Sequence, residues 1–333
     1  MTTAHSASGT PVGPPPPFDA ELAPVLRVMN EALPPDAFAD LDKLKDSFAA
    51  AVEQPSPESF SRDGAYTIEE RFVPGPEGAP DIALLICLPT RVEAPYPLIY
   101  HTHGGGMVIG DNKVGLPDTL ELAEGVGAAV VSVEYRLAPG TRHPGPVEDC
   151  YAGLVWAVEH AEELGVDPAR VIVGGASAGG GLAAALALLA RDRGGPALVG
   201  QLLMCPMIDD RNDTPSSHQM AGLGVWDRAS NEAGWTALLG DARGGPDVSP
   251  YAAPARATDL SGLPPAFIDV GSAETFRDED VAYASRIWQA GGVAELHVWP
   301  GGFHGFDGIA PHTTLSRDAR AARARWLSRL LTP

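Results

Sequence analysis

The chain carries two glycine-rich stretches whose residue types suit acyl transfer. One is His103-Gly104-Gly105-Gly106; the other is Gly175-Ala176-Ser177-Ala178-Gly179. A serine on a sharp strand-to-helix turn presents an exposed hydroxyl, and its strained backbone needs small residues two positions before and after it. Gly175 and Gly179 stand at those two positions. Consecutive glycines let a backbone approach a ligand closely and turn its amides inward. The amides of Gly105 and Gly106, with that of Ala178, are the expected donors to an oxyanion developing on a substrate carbonyl. His103 and Gly104 are expected to shape this loop, His103 through ring hydrogen bonds.

A serine nucleophile needs a base, and in doubly wound hydrolases the chain order is nucleophile, acid, histidine. Of nine histidines, the base should follow Ser177 on a loop after a late strand. His297 lies inside Glu295-Leu296-His297-Val298-Trp299, where a packed or edge histidine is expected. His312 lies near the last helix. His304, in Gly301-Gly302-Phe303-His304-Gly305-Phe306, follows that strand directly, and the glycines let it reach over the sheet. The acid should come from the loop after the preceding strand, Gly271-Ser272-Ala273-Glu274-Thr275-Phe276-Arg277-Asp278. Asp269 sits within the strand. Asp278 falls where an acid would cap a helix start. Glu274 is therefore the expected acid, with Asp278 the second choice. Its task is to fix the tautomer of His304 and stabilise the protonated ring. His101 and His103 have no carboxylate or thiol placed to complete a metal site, so neither metal nor organic cofactor is expected.

Positioning these groups requires alternating strands and helices. Strand patterns fall at residues 66–72, 82–88, 98–102, 128–133, 171–174, 199–205, 266–270 and 294–299. The Pro-Gly-Pro-Glu-Gly run at 74–78 makes the first two a hairpin. Helical patterns fall at 116–124, 146–164, 178–191, 278–290 and 315–331. This alternation predicts an α/β fold, a mostly parallel sheet of about eight strands covered by helices on both faces. Near the N-terminus, Leu22, Val25, Leu26, Met29 and Leu33 form a helical stripe, continued by Leu41, Leu44 and Phe48 after a Pro34-Pro35 break. The Pro-rich residues 13–17 read as a loose arm. The polar segment 209–249 is too long for a strand–helix loop and reads as an insertion over the C-terminal edge of the sheet, where α/β active sites lie. Its Met220, Trp226 and Trp235 are candidate pocket residues. The expected division is 1–60 as an N-terminal helical part of a cap, 61–208 with 249–333 as the α/β domain, and 209–248 as the cap insertion.

Composition narrows the partners. The formal charge of −20 argues against nucleic acid or an anionic membrane as partners. No apolar run approaches the ~18 residues of a membrane span, and the N-terminus lacks the pattern of a secretory leader. Three widely spaced cysteines, Cys87, Cys150 and Cys205, have no metal-ligand spacing. Cys87 and Cys205 lie in apolar runs as small hydrophobes, which fits a reducing cytoplasm.

Taken in order, these motifs resemble the hormone-sensitive-lipase-like family (bacterial esterase family IV) of α/β-hydrolases. The resemblance rests on His103-Gly-Gly-Gly106, Glu134-Tyr135-Arg136-Leu137-Ala138-Pro139, Pro146-Val-Glu-Asp149, Gly175-Ala-Ser-Ala-Gly-Gly180, Ser249-Pro250 and His304-Gly305-Phe306. It implies a helical cap built from the N-terminal region and the 209–248 insertion. It also implies hydrolysis of short- to medium-chain acyl esters, with amidase, formamidase or lactone hydrolase as alternatives on the same machinery. A hormone-receptor relative would lack the histidine that this chain keeps. Tyr135, Arg136 and Asp149 are implied framework residues, and relatives often form homodimers. Two positions depart from the family pattern. Glu274 stands where Asp is usual, and Ala176 stands where Asp or Thr is common.

Overall fold

The computed structural model describes residues 12–32 and 60–331. Eight strands form one sheet: β1 (Tyr66–Val73), β2 (Ile82–Pro89), β3 (Tyr96–Thr102), β4 (Ala129–Val133), β5 (Val166–Ala176), β6 (Gly200–Met204), β7 (Ala266–Gly271) and β8 (Ala294–Trp299), in the spatial order β1-β2-β4-β3-β5-β6-β7-β8. β1 and β2 form the expected antiparallel hairpin, β2 also pairs antiparallel with β4, and every later pairing is parallel. The protein therefore has the mostly parallel α/β sheet that the alternation predicts and the α/β-hydrolase fold that the resemblance implies.

Period-two sequence explains how the sheet is buried on both faces. In β3, Leu98 and Tyr100 enter one core while Ile99 enters the other. In β5, Val171 and Val173 oppose Ile172 in the same way. The first core is closed by helices α3 (Gly145–Glu159), α4 (Ala178–Arg193) and α6 (Arg277–Gln289). The second is closed by α2 (Leu116–Glu124) and α7 (Thr314–Leu331). Central α4 is apolar nearly all round, as a helix buried on all sides must be. It ends at Gly194, whose φ of 79° is the left-handed cap conformation that glycine adopts freely. α5 (Arg228–Leu239) lies in the segment between β6 and β7.

The structure differs from the sequence reading in two places. The helix expected over 146–164 ends at Glu159, because His160 leaves helical geometry before a short turn at Ala161–Leu164. The Pro-rich arm is not loose. Its extended backbone leaves carbonyls unpaired, and Gln219 Nε2 donates to those of Gly13 (3.4 Å) and Pro14 (3.0 Å). Met220 and Trp235 are packed inside, Trp235 without any exposed surface. Leu22, just before α1 (Ala23–Ala32), and Leu26 within it pack against Phe303, Phe306 and Ala310. Leu33, Leu41, Leu44 and Phe48 lie outside the described residues. No helix among the described residues is long and apolar enough to cross a membrane.

One buried group works against stability. Asp280 in α6 is fully buried, and neither carboxylate oxygen has a hydrogen-bond partner. Burial first, then the neighbouring carboxylates Glu279 and Glu274, hold its acid form well above the ordinary Asp range. The unfolded chain releases this proton above about pH 4, so stability is lost as pH rises beyond that value. Replacing it by the isosteric amide, Asp280→Asn, should stabilise the protein by about 1.4 kcal/mol for each pH unit over which only the unfolded wild type is ionised. Thermal unfolding at pH 4 to 8 checks this. The melting-temperature gap should widen with pH, and a flat gap would contradict it.

Candidate active site

The turn between β5 and α4 is built by steric necessity. Ser177 has φ 59° and ψ −123°, a conformation that L-residues adopt only under strain. Hydrogen bonds hold it there: its N–H donates to the Met204 carbonyl (2.9 Å), and its own carbonyl accepts from Met207 N–H (2.9 Å). The turn is pressed onto the end of β3. A Cβ on Gly175 would lie 2.3 Å from the Thr102 carbonyl oxygen, and one on Gly179 would lie 2.0 Å from the same atom. Thr102 Oγ1 adds a 2.7 Å bond to the Gly179 carbonyl. Only glycine fits at either site.

The loop after β3 runs beside that turn. The N–H groups of Gly105 and Gly106 donate to no acceptor among the described residues. Ala178 opens α4, so its N–H has no intrahelical acceptor. His103 is buried and holds the loop: its Nδ1 lies 2.8 Å from the Gly104 carbonyl, and its ring stacks on Tyr135 at 4.1 Å. Burial lowers its pKa to about 4, which keeps the ring neutral. Tyr135 donates its hydroxyl to the His103 carbonyl (2.8 Å), and Arg136 makes a two-pronged ion pair with buried Asp149. His101 is engaged by the Val114 carbonyl and by Thr119.

Ser177, His304 and Glu274 are brought into series. Ser177 Oγ lies 2.9 Å from His304 Nε2, and His304 Nδ1 lies 2.9 Å from Glu274 Oε1. The extra methylene of Glu is accommodated at ordinary hydrogen-bond distance. Asp278 is engaged elsewhere: its carboxylate accepts from Ser216 N–H and from Arg277. Asp269 lies inside β7, where it accepts from Trp299 Nε1 (3.0 Å) and from Arg323 of α7 (2.9 Å). His297 is stacked between Phe267 and Trp299 in β8, and His312 is exposed. The loops after β7 and β8 are fastened to each other. Ser272 N–H donates to the Trp299 carbonyl, Ala273 N–H to that of Gly302, and Gly301 N–H to Ser272 Oγ. Phe276 meets the His304 ring edge-on. From the far end of the chain, Asp19 N–H donates to the Gly301 carbonyl (3.0 Å), and Glu21 accepts from Thr314.

Two neighbours of the site make contacts that the sequence does not announce. Trp226 is buried with its indole against Gly106; a Cβ on Gly106 would lie 2.3 Å from that ring. Its carbonyl accepts from Thr275 Oγ1 (2.6 Å), the residue after Glu274. Trp226 thus touches both the glycine loop and the acid-bearing loop. Composition marks it as a candidate but gives no sign of which loop it meets. The second is Cys205, whose Sγ lies within 4.8 Å of a Glu274 oxygen and a His304 ring nitrogen.

Residues 99–308 match a family described as having the alpha/beta hydrolase fold. The chain belongs to the hormone-sensitive-lipase-like family of α/β-hydrolases. It is 36% identical over 296 residues to carboxylesterase NlhH of Mycobacterium tuberculosis, covering 87% of this chain and 90% of that one. It is 38% identical to esterase LipI of the same organism, over 68% of this chain and 71% of that one. Among solved structures, a bacterial heroin esterase superposes with a TM-score of 0.87 at 40% identity, covering 95% of this chain and 98% of that one. A thermostable esterase from Pseudomonas putida gives a TM-score of 0.84 at 28% identity, covering 96% and 99%.

Removing the indole should let the glycine loop shift, and displacements of about 1 Å in a reacting geometry lower rates by up to about 10²-fold. Trp226→Ala should therefore lower kcat on p-nitrophenyl acetate by at least about tenfold, with Trp226→Phe restoring most of it. Equal kcat for wild type and Trp226→Ala would show that the contact only packs.

Proposed function

We propose that the protein is a serine carboxylesterase in which Ser177, His304 and Glu274 act in series. The observation that carries this reading is the unbroken pair of 2.9 Å contacts from Ser177 Oγ through the imidazole to Glu274. Esterase relatives over most of the chain's length support the ester as substrate.

In this mechanism His304 Nε2 accepts the Ser177 proton as Oγ attacks the ester carbonyl. Glu274 holds Nδ1–H, fixing the tautomer and stabilising the imidazolium. The carbonyl oxygen becomes an oxyanion, and the free amides of Gly105, Gly106 and Ala178 are the donors proposed to receive it. The tetrahedral intermediate collapses, and the alcohol leaves with the proton from His304. Water then gives its proton to His304 and attacks the acyl-enzyme, releasing the acid and restoring Ser177.

The cap reading joins the 12–32 segment and the 209–248 insertion, with Gln219 touching the Pro-rich arm and Val225 packing beside α1. Trp226, between the glycine loop and the acid loop, is the residue of this insertion proposed to face the substrate. Short- to medium-chain acyl esters are the proposed class. The unpaired edge of β8, with exposed Trp288, Val293 and Val298 nearby, favours a homodimer. Three buried free thiols favour a reducing cytoplasm.

Hydrolysis of p-nitrophenyl esters of rising acyl length tests the reading. Ser177→Ala should lower kcat by about four orders of magnitude or more while leaving the fold intact. Turnover close to wild type in that variant would exclude Ser177, and a folded wild type inert on every ester would shift the substrate to amides or lactones. Separately, Glu274→Gln should lower kcat by about 10³–10⁴, whereas Asp278→Asn should leave it within about tenfold. The reverse order would make Asp278 the acid.

A further inference from the structure

The acyl-transfer chemistry leaves one group beside the triad without a task. Cys205 follows β6 with φ 37°, its N–H donating to the Asp269 carbonyl (2.7 Å), and its thiol is buried. Its Sγ, a Glu274 carboxylate oxygen and a His304 ring nitrogen all lie within 4.8 Å of one another. Glu274 is buried, and while Oε1 meets His304, Oε2 has no hydrogen-bond partner at all. A carboxylate whose second oxygen has unused lone pairs thus stands beside a thiol and an imidazole. Cys87 and Cys150 join no such group among the described residues.

We propose that Cys205, Glu274 and His304 form an inhibitory site for a thiophilic divalent cation, Zn²⁺ or Cd²⁺. For its effect on turnover, the proposal rests on the triad reading above. Zinc takes thiolate sulfur at about 2.3 Å and imidazole nitrogen or carboxylate oxygen at about 2.0–2.2 Å, so a tetrahedral set of ligand atoms stands roughly 3.3–3.7 Å apart. Atoms within 4.8 Å of one another reach that spacing by moving at most about 1.5 Å. The thiolate selects soft cations over Mg²⁺ or Ca²⁺. Thiolate and carboxylate together balance the ion's two charges, which a buried site demands.

Binding replaces the thiol S–H bond with a sulfur–metal bond and releases that proton to solvent. His304 ligates through Nδ1, the nitrogen on the Glu274 side. Its one ring proton then moves to Nε2, the atom that must accept the Ser177 proton. The bound ion takes away the base and the orienting carboxylate together. No electron is transferred, and a chelator restores the enzyme.

Titrating the purified full chain with Cd²⁺ tests this with two readouts. The cadmium–thiolate charge-transfer absorbance reports binding, and p-nitrophenyl acetate hydrolysis reports turnover. One equivalent should develop the absorbance and lower activity at least tenfold in parallel, with EDTA reversing both. Cys205→Ala should keep wild-type turnover, lose the absorbance and tolerate at least tenfold more Cd²⁺. Inhibition of Cys205→Ala at the wild-type concentration would overturn the proposal, as would a wild type inhibited without any thiolate absorbance. Should Cys205→Ala fail to fold, the double variant Cys87→Ala/Cys150→Ala decides: it should keep the full absorbance, and losing it would overturn the assignment. Because the absorbance needs no turnover, failure of the ion site and failure of the triad reading are separable. Full absorbance with undiminished hydrolysis overturns the inhibitory role and counts against the triad. No absorbance beside a Ser177-dependent esterase overturns the ion site alone.

Discussion

The whole site depends on how closely the nucleophile turn is pressed onto the end of β3. Gly175 and Gly179 both stand where any Cβ would collide with the Thr102 carbonyl. That contact fixes the height of Ser177 above the sheet. It also fixes the separation between Ser177 and the glycine loop, because His103 is the next residue after Thr102. Thr102 Oγ1 then ties the Gly179 carbonyl, and the Tyr135 hydroxyl ties that of His103. Alignment of serine and loop amides is therefore a property of backbone packing, which side-chain motion cannot easily relax.

The other half of the site is set by a second close approach. A Cβ on Gly271 would lie 2.0 Å from the Gly302 carbonyl oxygen, so the ends of β7 and β8 are nearly touching. Backbone bonds from Ser272 and Ala273 to Trp299 and Gly302 extend the pairing past the sheet. Glu274 and His304 are carried on this fastened pair, which is why their side chains meet although thirty residues separate them. Beneath, Asp269 is neutralised by Arg323 and held by Trp299, so the strand bearing the acid loop is anchored to α7. A longer acid side chain is tolerated because the loops, rather than the side chain alone, set its reach.

Much of this was legible in the sequence because its signals are local. Two-residue alternation in 98–102 and 171–174 announces strands buried on both faces, and Gly-x-Ser-x-Gly between strand and helix announces the strained turn. Chain order, with position on the loops after the last two strands, brings attention to His304 and Glu274 over His297 and Asp278. What could not be read depends on contacts between distant segments. Nothing near Trp226 tells that its indole meets Gly106, and nothing near Cys205 tells that it faces the acid. The Pro-rich arm reads as loose because its partner, Gln219, lies some two hundred residues away. The helix expected through His160 fails because its helical pattern continues across a position where the backbone turns away.

The bond from Asp19 to Gly301 joins segments some 280 residues apart in sequence at the loop that carries His304. During synthesis the early segment emerges with its apolar residues, Leu22 and Leu26, ready to pack. Their partners Phe303 and Phe306 follow some 280 residues later. Closing so long a span is slow relative to local helix and hairpin formation. This clasp therefore waits unfastened while β1 to β6 and the serine turn can form, and the loop that carries His304 is secured only when the two segments meet.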